Sequence, residues 1–179
     1  MKTKFILRPP TQGFSLVELM VTISVAAILL AIGAPSFSSF INNQKLVSTA
    51  SEFYAAINMT RSEAIKRGSR VDMVPNDGAN WSSGWTVFID ANSNQIVDPG
   101  ETIIFFHEAS ANIITIASTF VAPYISYTGN GRTRTNASSQ TPNPGTVSFT
   151  SGSTVRIVII NFLGRSQICD PSKSVCTAS

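Results

Sequence analysis

The sequence has few charged residues, one histidine and two cysteines, and each scarcity excludes a class of protein. Charged residues make up 13% of the 179 positions, about half the share of roughly 25% that is usual in soluble domains. This shortage indicates that part of the chain does not face water. The histidine, His107, is distant from both cysteines, so the sequence lacks the ligands of a zinc site. His107 also lies in an apolar run typical of a strand, which favours a structural role over catalysis.

Two common motifs of enzymes and motors are also missing. No glycine-rich phosphate loop of the P-loop type occurs, which excludes a P-loop ATPase. Serine is abundant, but no serine stands in a Gly-x-Ser-x-Gly elbow. We therefore expect no enzyme activity, no cofactor and no metal centre.

The two cysteines, Cys169 and Cys176, are close together near the C-terminus, with six residues between them. That spacing excludes a Cys-x-x-Cys redox pair. A small disulfide-closed loop is the simplest interpretation and indicates an oxidising compartment; the alternative is two free thiols.

The basic sequence pI of about 9.1 arises mainly at the N-terminus. Three of the 13 basic residues lie within the first ten positions, and the other 10 balance the 10 acidic residues. Residues 71–108 carry acidic groups and no Lys or Arg, whereas the charged residues within 109–179 are mostly basic. The chain beyond its first positions is therefore near neutral, with a locally basic C-terminal part.

The N-terminal region has a basic segment followed by a long apolar run. Residues 1–13 are polar and basic and end in Gly13, and Phe14 to Ile32 is mainly apolar. A helix of that length spans about 30 Å, the thickness of the bilayer core. Basic residues before such a run place that end in the cytoplasm. We therefore predict a membrane helix over 14–34.

The junction of these two segments carries a specific motif. The string Gly13-Phe14-Ser15-Leu16-Val17-Glu18-Leu19-Met20 resembles the processing motif of type IV pilins and pseudopilins. The resemblance implies that residues 1–13 are a leader which a prepilin peptidase removes after Gly13. It also implies that the same enzyme methylates the new terminal amine of Phe14.

Glu18 is the acidic residue within the apolar run. A carboxylate inside a membrane helix costs about 2.5–3.5 kcal/mol at the bilayer centre, so it needs a partner or access to water. A helix N-terminus also favours an acidic residue through its dipole. The resemblance to pilins implies that Glu18 engages the N-terminal amine of a neighbouring subunit during assembly.

The helical pattern continues beyond the apolar run. We predict one helix over 14–67, with an amphipathic part over 35–68, a bend or break at Pro35, and Gly68 as its C-cap. One stripe of this helix is expected to pack on a globular domain. Its members are Leu46, Ala50, Phe53, Ile57 and Ala64.

After Gly68 the pattern changes to short segments rich in β-branched and aromatic residues. Predicted strands lie near 70–74, 84–89, 102–107, 112–117, 124–127, 145–150, 154–161 and 165–169. The stretch 128–146 is predicted to be an exposed loop. The fold class is therefore α+β: a long N-terminal helix packed on an antiparallel β domain over 69–179.

Further strings resemble one group of pilin-like proteins, the GspH/FimT group. They are the helix end from Arg61 to Gly68, Trp81, the run from Gly84 to Phe88, and the run from Asp90 to Asn92. The run from Gly164 to Cys169 stands in the place of that group's Gly-Arg-x-Arg motif, but Gln167 replaces the second arginine. The group contains H-type pseudopilins of type II secretion and T/U-type minor pilins of type IV pili.

This resemblance implies a structural filament subunit in the bacterial inner membrane. Its globular domain would be periplasmic, and the chain would be built into a type IV pilus or a type II secretion pseudopilus. Expected partners are the prepilin peptidase, other pilins or pseudopilins, the inner-membrane assembly platform and membrane lipid.

The main alternative is a minor pilin that binds DNA in natural transformation. Candidate contacts to phosphates are Arg132, Arg134, Arg165 and Lys173, since clustered basic groups displace counterions. Gln167 weakens the motif, and aromatic residues that could stack on bases are not interleaved with these arginines. We therefore predict weak or no binding of DNA.

One polar segment, 90–101, allows two interpretations. Its oxygen-bearing side chains have the spacing of an EF-hand calcium loop. Those side chains are Asp90, Asn92, Asn94, Asp98 and Glu101. Gln95 replaces the glycine of the sharp turn, and the flanking segments are predicted strands. We therefore favour a polar hairpin loop, with Ca²⁺ binding as the alternative.

Overall fold

The structure is a computed structural model that describes residues 13–135 and 141–177, apart from the side chains of 32–36. The predicted leader, except Gly13, lies outside the described residues, as does the stretch 136–140 of the predicted loop. The chain divides into two compact units, Met1–Phe40 and Ile41–Ser179.

Helix α1 extends from Leu16 to Arg67, so the predicted helix is confirmed. Ser15 precedes it and accepts the backbone N–H of Glu18 at 3.2 Å, which caps the first turn. The predicted break at Pro35 is wrong, because the helix continues through this position. A proline removes only one backbone hydrogen bond from a helix. In this 52-residue helix the hydrogen bonds of the turns on either side of Pro35 are sufficient to continue it.

In the first unit, the described side chains of α1 are exposed, including the apolar ones over 14–31. Within the described parts of the chain, no helix combines the length and the mean hydropathy of a membrane span.

In the second unit, α1 buries the predicted stripe. Leu46, Ala50, Phe53, Ile57 and Ala64 are fully enclosed, since residues at these spacings share one face of a helix. Gly68 follows the helix with φ +63°, and Ser69 donates its N–H to the carbonyl of Ala64 at 3.3 Å. This left-handed residue ends the helix as predicted.

Eight strands follow the helix in the described part of the chain, and each overlaps one of the predicted segments. They are β1 (Val71–Pro75), β2 (Trp85–Phe88), β3 (Ile103–His107), β4 (Thr115–Ser118), β5 (Ile125–Tyr127), β6 (Gly145–Ser151), β7 (Thr154–Ile160) and β8 (Ser166–Cys169). A short 3-10 helix, Trp81–Ser83, precedes β2. The predicted α+β class with antiparallel strands is confirmed.

The strands form two four-stranded antiparallel sheets. The order of the first sheet is β3-β2-β1-β5, and the order of the second is β4-β6-β7-β8. Consecutive strands therefore do not all share a sheet, because β4 belongs to the second sheet and β5 returns to the first.

The core is centred on Phe53 of α1. Its ring lies 5.1 Å from that of Trp81, 5.0 Å from that of Trp85 in the first sheet and 5.3 Å from that of Phe149 in the second. All three pairs meet edge to face, an arrangement that aromatic rings favour. One helical side chain thus packs against both sheets.

The prediction of an exposed loop over 128–146 is wrong for its first part. Gly131, Thr133 and Arg134 are buried, and the backbone N–H of Arg134 donates to the carbonyl of Ser126 at 3.2 Å. The segment covers the outer edge of β5, where Tyr127 and Thr133 form an isolated bridge. Sheet edges need such cover because their backbone groups are otherwise unpaired.

Candidate functional site

The predicted processing and assembly residues lie at the start of α1. Phe14 is 72% exposed, and Glu18 is also exposed in the first helical turn. In residues 13–135 and 141–177, no basic side chain forms an ion pair with the Glu18 carboxylate. The dipole of the helix N-terminus favours this carboxylate.

His107 joins β3 to the helix. Its Nε2 lies 2.9 Å from Glu52 Oε2, its Nδ1 lies 2.6 Å from the carbonyl of Glu108, and its ring stacks on Trp85 at 3.8 Å. The His107 hydrogen bond lowers the pKa of Glu52 more than burial raises it. Ser48 Oγ donates to the other Glu52 oxygen at 2.8 Å. The contacts support the predicted structural role and offer no activated nucleophile.

Segment 90–101 connects β2 to β3, as the hairpin interpretation requires. Its acidic side chains turn inward onto the loop itself. Asp90 accepts the N–H of Asn94 and of Gln95 at 3.2 and 3.0 Å. Asp98 accepts the side-chain amides of Asn92 and Asn94 at 2.8 and 2.7 Å. The carboxylate oxygens of Asp90 and Asp98, which are candidate calcium ligands, therefore accept hydrogen bonds from the chain itself.

Two further features of this loop bear on the calcium alternative. Gln95 adopts φ +62°, so the left-handed turn forms without the expected glycine. Glu101 accepts the backbone N–H of Ala91 at 3.0 Å and that of Asp98 at 3.1 Å. The described stretches of the chain contain no group of three or more His, Cys, Asp or Glu side chains that could hold a metal ion.

Sequence reasoning missed a buried cluster of charges beside this loop. Arg70 donates through Nε and Nη2 to the two oxygens of Asp72 at 2.8 and 2.7 Å, and its Nε lies 3.8 Å from Asp90. Burial raises the pKa of Asp72 to about 6 although Arg70 lowers it. Burial also acts to raise the pKa of Asp90. Hydrogen bonds from Asp72 and Gln95 act more strongly in the opposite direction, so the pKa of Asp90 is lowered. The Arg-x-Asp spacing was the available signal, because alternate strand residues share a face.

The four candidate DNA contacts do not form one surface. Arg132 and Arg165 are exposed. Arg134 is 6% exposed and its Nη1 donates to the carbonyl of Thr133 at 2.7 Å. Lys173 Nζ lies 3.8 Å from Asp170.

The structure does bring the backbone of Arg132 next to Gly164, the residue before Arg165, although 32 positions separate Arg132 from Gly164 in the sequence. A Cβ added to Gly164 would lie 2.8 Å from the carbonyl oxygen of Gly131 and 3.1 Å from the Cα of Arg132. Only glycine allows this close approach of two backbones, and the φ of +75° at Gly164 requires it as well. The Tyr127 hydroxyl holds the same turn by donating to the Gly164 carbonyl at 2.9 Å.

Cys169 and Cys176 form the predicted disulfide, with Cα atoms 5.8 Å apart. Asp170, within the closed loop, accepts a hydrogen bond from Ser172 that lowers its pKa, and it pairs with Arg156 of β7 at 3.0 Å. The loop is therefore fastened to the second sheet at two points.

Comparisons with known proteins agree on one kind of protein. Residues 49–164 match the family model described as Type II transport protein GspH. Residues 8–34 match the model of the prokaryotic N-terminal methylation motif. A curated relative, the pilin-like protein PilA1 of Thermus thermophilus, is 28% identical over 160 residues, which are 88% of this chain and 97% of the relative.

Two solved structures share the fold. The type IV minor pilin FimU of Pseudomonas aeruginosa has a TM-score of 0.58 and 20% identity, over 78% of this chain and 99% of that one. The minor pseudopilin EpsH from the type 2 secretion system of Vibrio cholerae has a TM-score of 0.54 and 13% identity, over 71% of this chain and 98% of that one. At these identities the likeness concerns the fold.

Proposed function

The chain belongs to the GspH family and is a minor pilin or pseudopilin of a type IV pilus or a type II secretion system, and we propose how it is processed, anchored and assembled. The observation that carries the proposal is the methylation motif over 8–34 ahead of the family match over 49–164. We propose that the role of the protein is structural and not catalytic.

Processing begins with a prepilin peptidase that cleaves after Gly13 and methylates the amine of Phe14. Residues 14–34 then anchor the chain in the inner membrane, with the N-terminus cytoplasmic and the β domain periplasmic. Support comes from the basic leader residues Lys2, Lys4 and Arg8. The disulfide is consistent with an oxidising periplasm.

Assembly then uses the pairing of Glu18 with the terminal amine of a neighbouring subunit. The exposed carboxylate without a basic partner among the described residues supports this role. In an apolar environment a free carboxylate is costly, and a neighbouring ammonium group would offset that cost. Other pilins or pseudopilins, the inner-membrane assembly platform and membrane lipid are the proposed partners.

The position of cleavage is the first test. In cells that contain the peptidase, we expect a mature chain whose intact mass equals residues 14–179 with one added methyl group and one disulfide. Replacing Gly13 by a bulky residue, as in Gly13→Leu, should leave the leader attached. A mature start near Pro35 or an uncut wild-type chain would contradict the proposal.

Glu18→Ala tests the assembly role. We expect the variant to be processed and to remain in the membrane fraction, because apolar area and not Glu18 provides the anchor. Its incorporation into filaments should fall severalfold, while Glu18→Asp, which keeps the charge, should retain part of it. Assembly is measured by sheared surface pili or by export of a folded exoprotein, according to the machine present. Wild-type incorporation of Glu18→Ala would refute the role.

The alternative of DNA binding in transformation is not supported. Arg134 is buried against its own backbone and Lys173 lies near Asp170. Arg134 is therefore unavailable for a phosphate track, and an acidic group lies beside the exposed Lys173.

A further inference from the structure

Three arginines in the β domain and its helix lack the partners that the other described arginines have. Arg67, Arg70 and Arg156 pair with carboxylates, and Arg134 donates to a backbone carbonyl. Across the described residues, the guanidinium groups of the other three form no hydrogen bond and no ion pair. The three are Arg61, Arg132 and Arg165.

These three residues belong to different elements, which approach one another near Gly131. Arg61 comes from α1, Arg132 from the segment that covers β5, and Arg165 from the turn between β7 and β8. A Cβ at Gly131 would lie 3.4 Å from Arg61 Nε. Gly131 and Arg132 pack in turn against Gly164, the residue before Arg165. We call this group the arginine triad.

The triad combines exposure with one buried donor. Arg132 and Arg165 are exposed, and Arg61 is half-buried. Arg61 Nε is enclosed without a hydrogen-bond acceptor among the described residues, which is unfavourable for a buried polar group. An incoming anion would give the exposed guanidinium groups of Arg132 and Arg165 the partner that the described residues do not supply.

The chemistry of the triad selects the anion. A guanidinium group presents a planar fork of donors that matches the two oxygens of a carboxylate or phosphate. The positive surface is compact, because Arg134 is turned inward and Lys173 lies near Asp170. A compact group suits a few carboxylates, whereas duplex DNA needs several phosphate contacts along a track.

We propose that the arginine triad is a docking site for carboxylate side chains on a neighbouring protein subunit of the filament. The inference rests on the proposed assembly role and adds a contact site in the β domain to the contact at Glu18. The long side chains of exposed arginines keep the charge mobile, so docking through the triad alone should be weak and dependent on salt.

The test uses the full chain in a nonionic detergent and a fluorescein-labelled hexaglutamate peptide as probe. We expect saturable binding by fluorescence anisotropy at low salt. The double variant Arg132→Gln/Arg165→Gln should lose at least about fivefold in affinity, which corresponds to roughly 1 kcal/mol. The control Lys45→Gln/Lys66→Gln removes the same charge from exposed residues elsewhere on α1 and should bind as the wild type does.

Competing ligands decide the source of the anion. Equal losses in both double variants, or no binding by the wild type, would overturn the proposal. So would tighter binding of a 20-base-pair duplex or of phosphatidylglycerol vesicles that depends on the same arginines. Intact mass and membrane retention of each variant are measured in parallel. A processed, assembled wild type that does not bind the peptide would remove the triad site and leave the proposed function standing.

Discussion

Asp72 is the residue whose ionisation conflicts most with its surroundings. Its side chain is fully enclosed and bound by both donors of the Arg70 fork, yet burial raises its pKa to about 6. The ordinary value for an aspartate is about 3.9. The folded protein therefore holds this proton at pH values where the unfolded chain has already released it.

The shift predicts how stability depends on pH. Between about pH 4 and pH 6 the folded state binds more protons at Asp72, so its contribution to the free energy of unfolding falls as the pH rises. The loss is on the order of 3 kcal/mol and is complete above about pH 6. Denaturant titrations at half-unit pH steps should show it, and Asp72→Asn should flatten the curve in this window.

Glu108→Gln serves as the control for this measurement, because Glu108 is an exposed carboxylate directly after β3 in the same unit. Its curve should run parallel to that of the wild type between pH 4 and pH 6. If the curves of unfolding free energy against pH were parallel for the wild type and Asp72→Asn, Asp72 would not be the titrating group.

Some individual residues could be predicted and others could not, for a physical reason. The buried stripe of α1 follows from helical spacing, which is local information. The Arg70 pair with Asp72 is nearly local, but its approach to Asp90 depends on the pairing of β1 with β2. The meeting of Gly131 with Gly164 depends on contacts between segments 33 positions apart, which no local pattern encodes.

At the scale of the element, β8 is an edge strand whose end is fixed by a covalent bond. It pairs only with β7 among the described strands, and Cys169, its last residue, is joined to Cys176. Edge strands lose their pairing more easily than central ones, because one side has no hydrogen-bond partners. The disulfide and the Asp170–Arg156 ion pair together hold this end of the second sheet.

Removing the disulfide should weaken this edge. For a loop of this length, the double variant Cys169→Ser/Cys176→Ser should lose about 2 kcal/mol of unfolding free energy, since the unfolded chain regains loop entropy. Reduction of the wild type with dithiothreitol should give the same loss, and trypsin should then cut faster at Lys173. Unreduced, denatured wild type should show no free thiol. Equal stability of the oxidised and reduced forms would contradict the expected role.

The elements themselves were more predictable than their arrangement. Each strand segment carries β-branched and aromatic residues between turn residues, so its existence is a local property. Boundaries shifted by a few residues, as with β4, predicted over 112–117 and observed at Thr115–Ser118. The burial of segment 131–134 was missed, because a composition of Gly, Thr and Arg does not show that β5 needs a covered edge.

At the scale of the whole molecule, the two units differ in how their apolar residues are used. Among the side chains that the structure describes, every buried apolar one of the core belongs to residues 46–160 and thus to the second unit. In the first unit the described apolar side chains of 14–31 remain exposed, as the proposed contact with lipid or other subunits requires. The match of residues 8–34 to the methylation motif supports the proposed anchoring role of this segment.

The alternation of strands between the two sheets has a consequence for the rate of folding. The first sheet is incomplete until β5 is present, and β4 has no partner until β6 appears, 27 residues after β4 ends. A chain synthesised from its N-terminus therefore exposes the apolar stripe around Phe53 until nearly all of it has emerged. Folds that depend on such distant pairings form over milliseconds to seconds, far more slowly than helical bundles. During that interval the nascent subunit would be a substrate for chaperones and proteases.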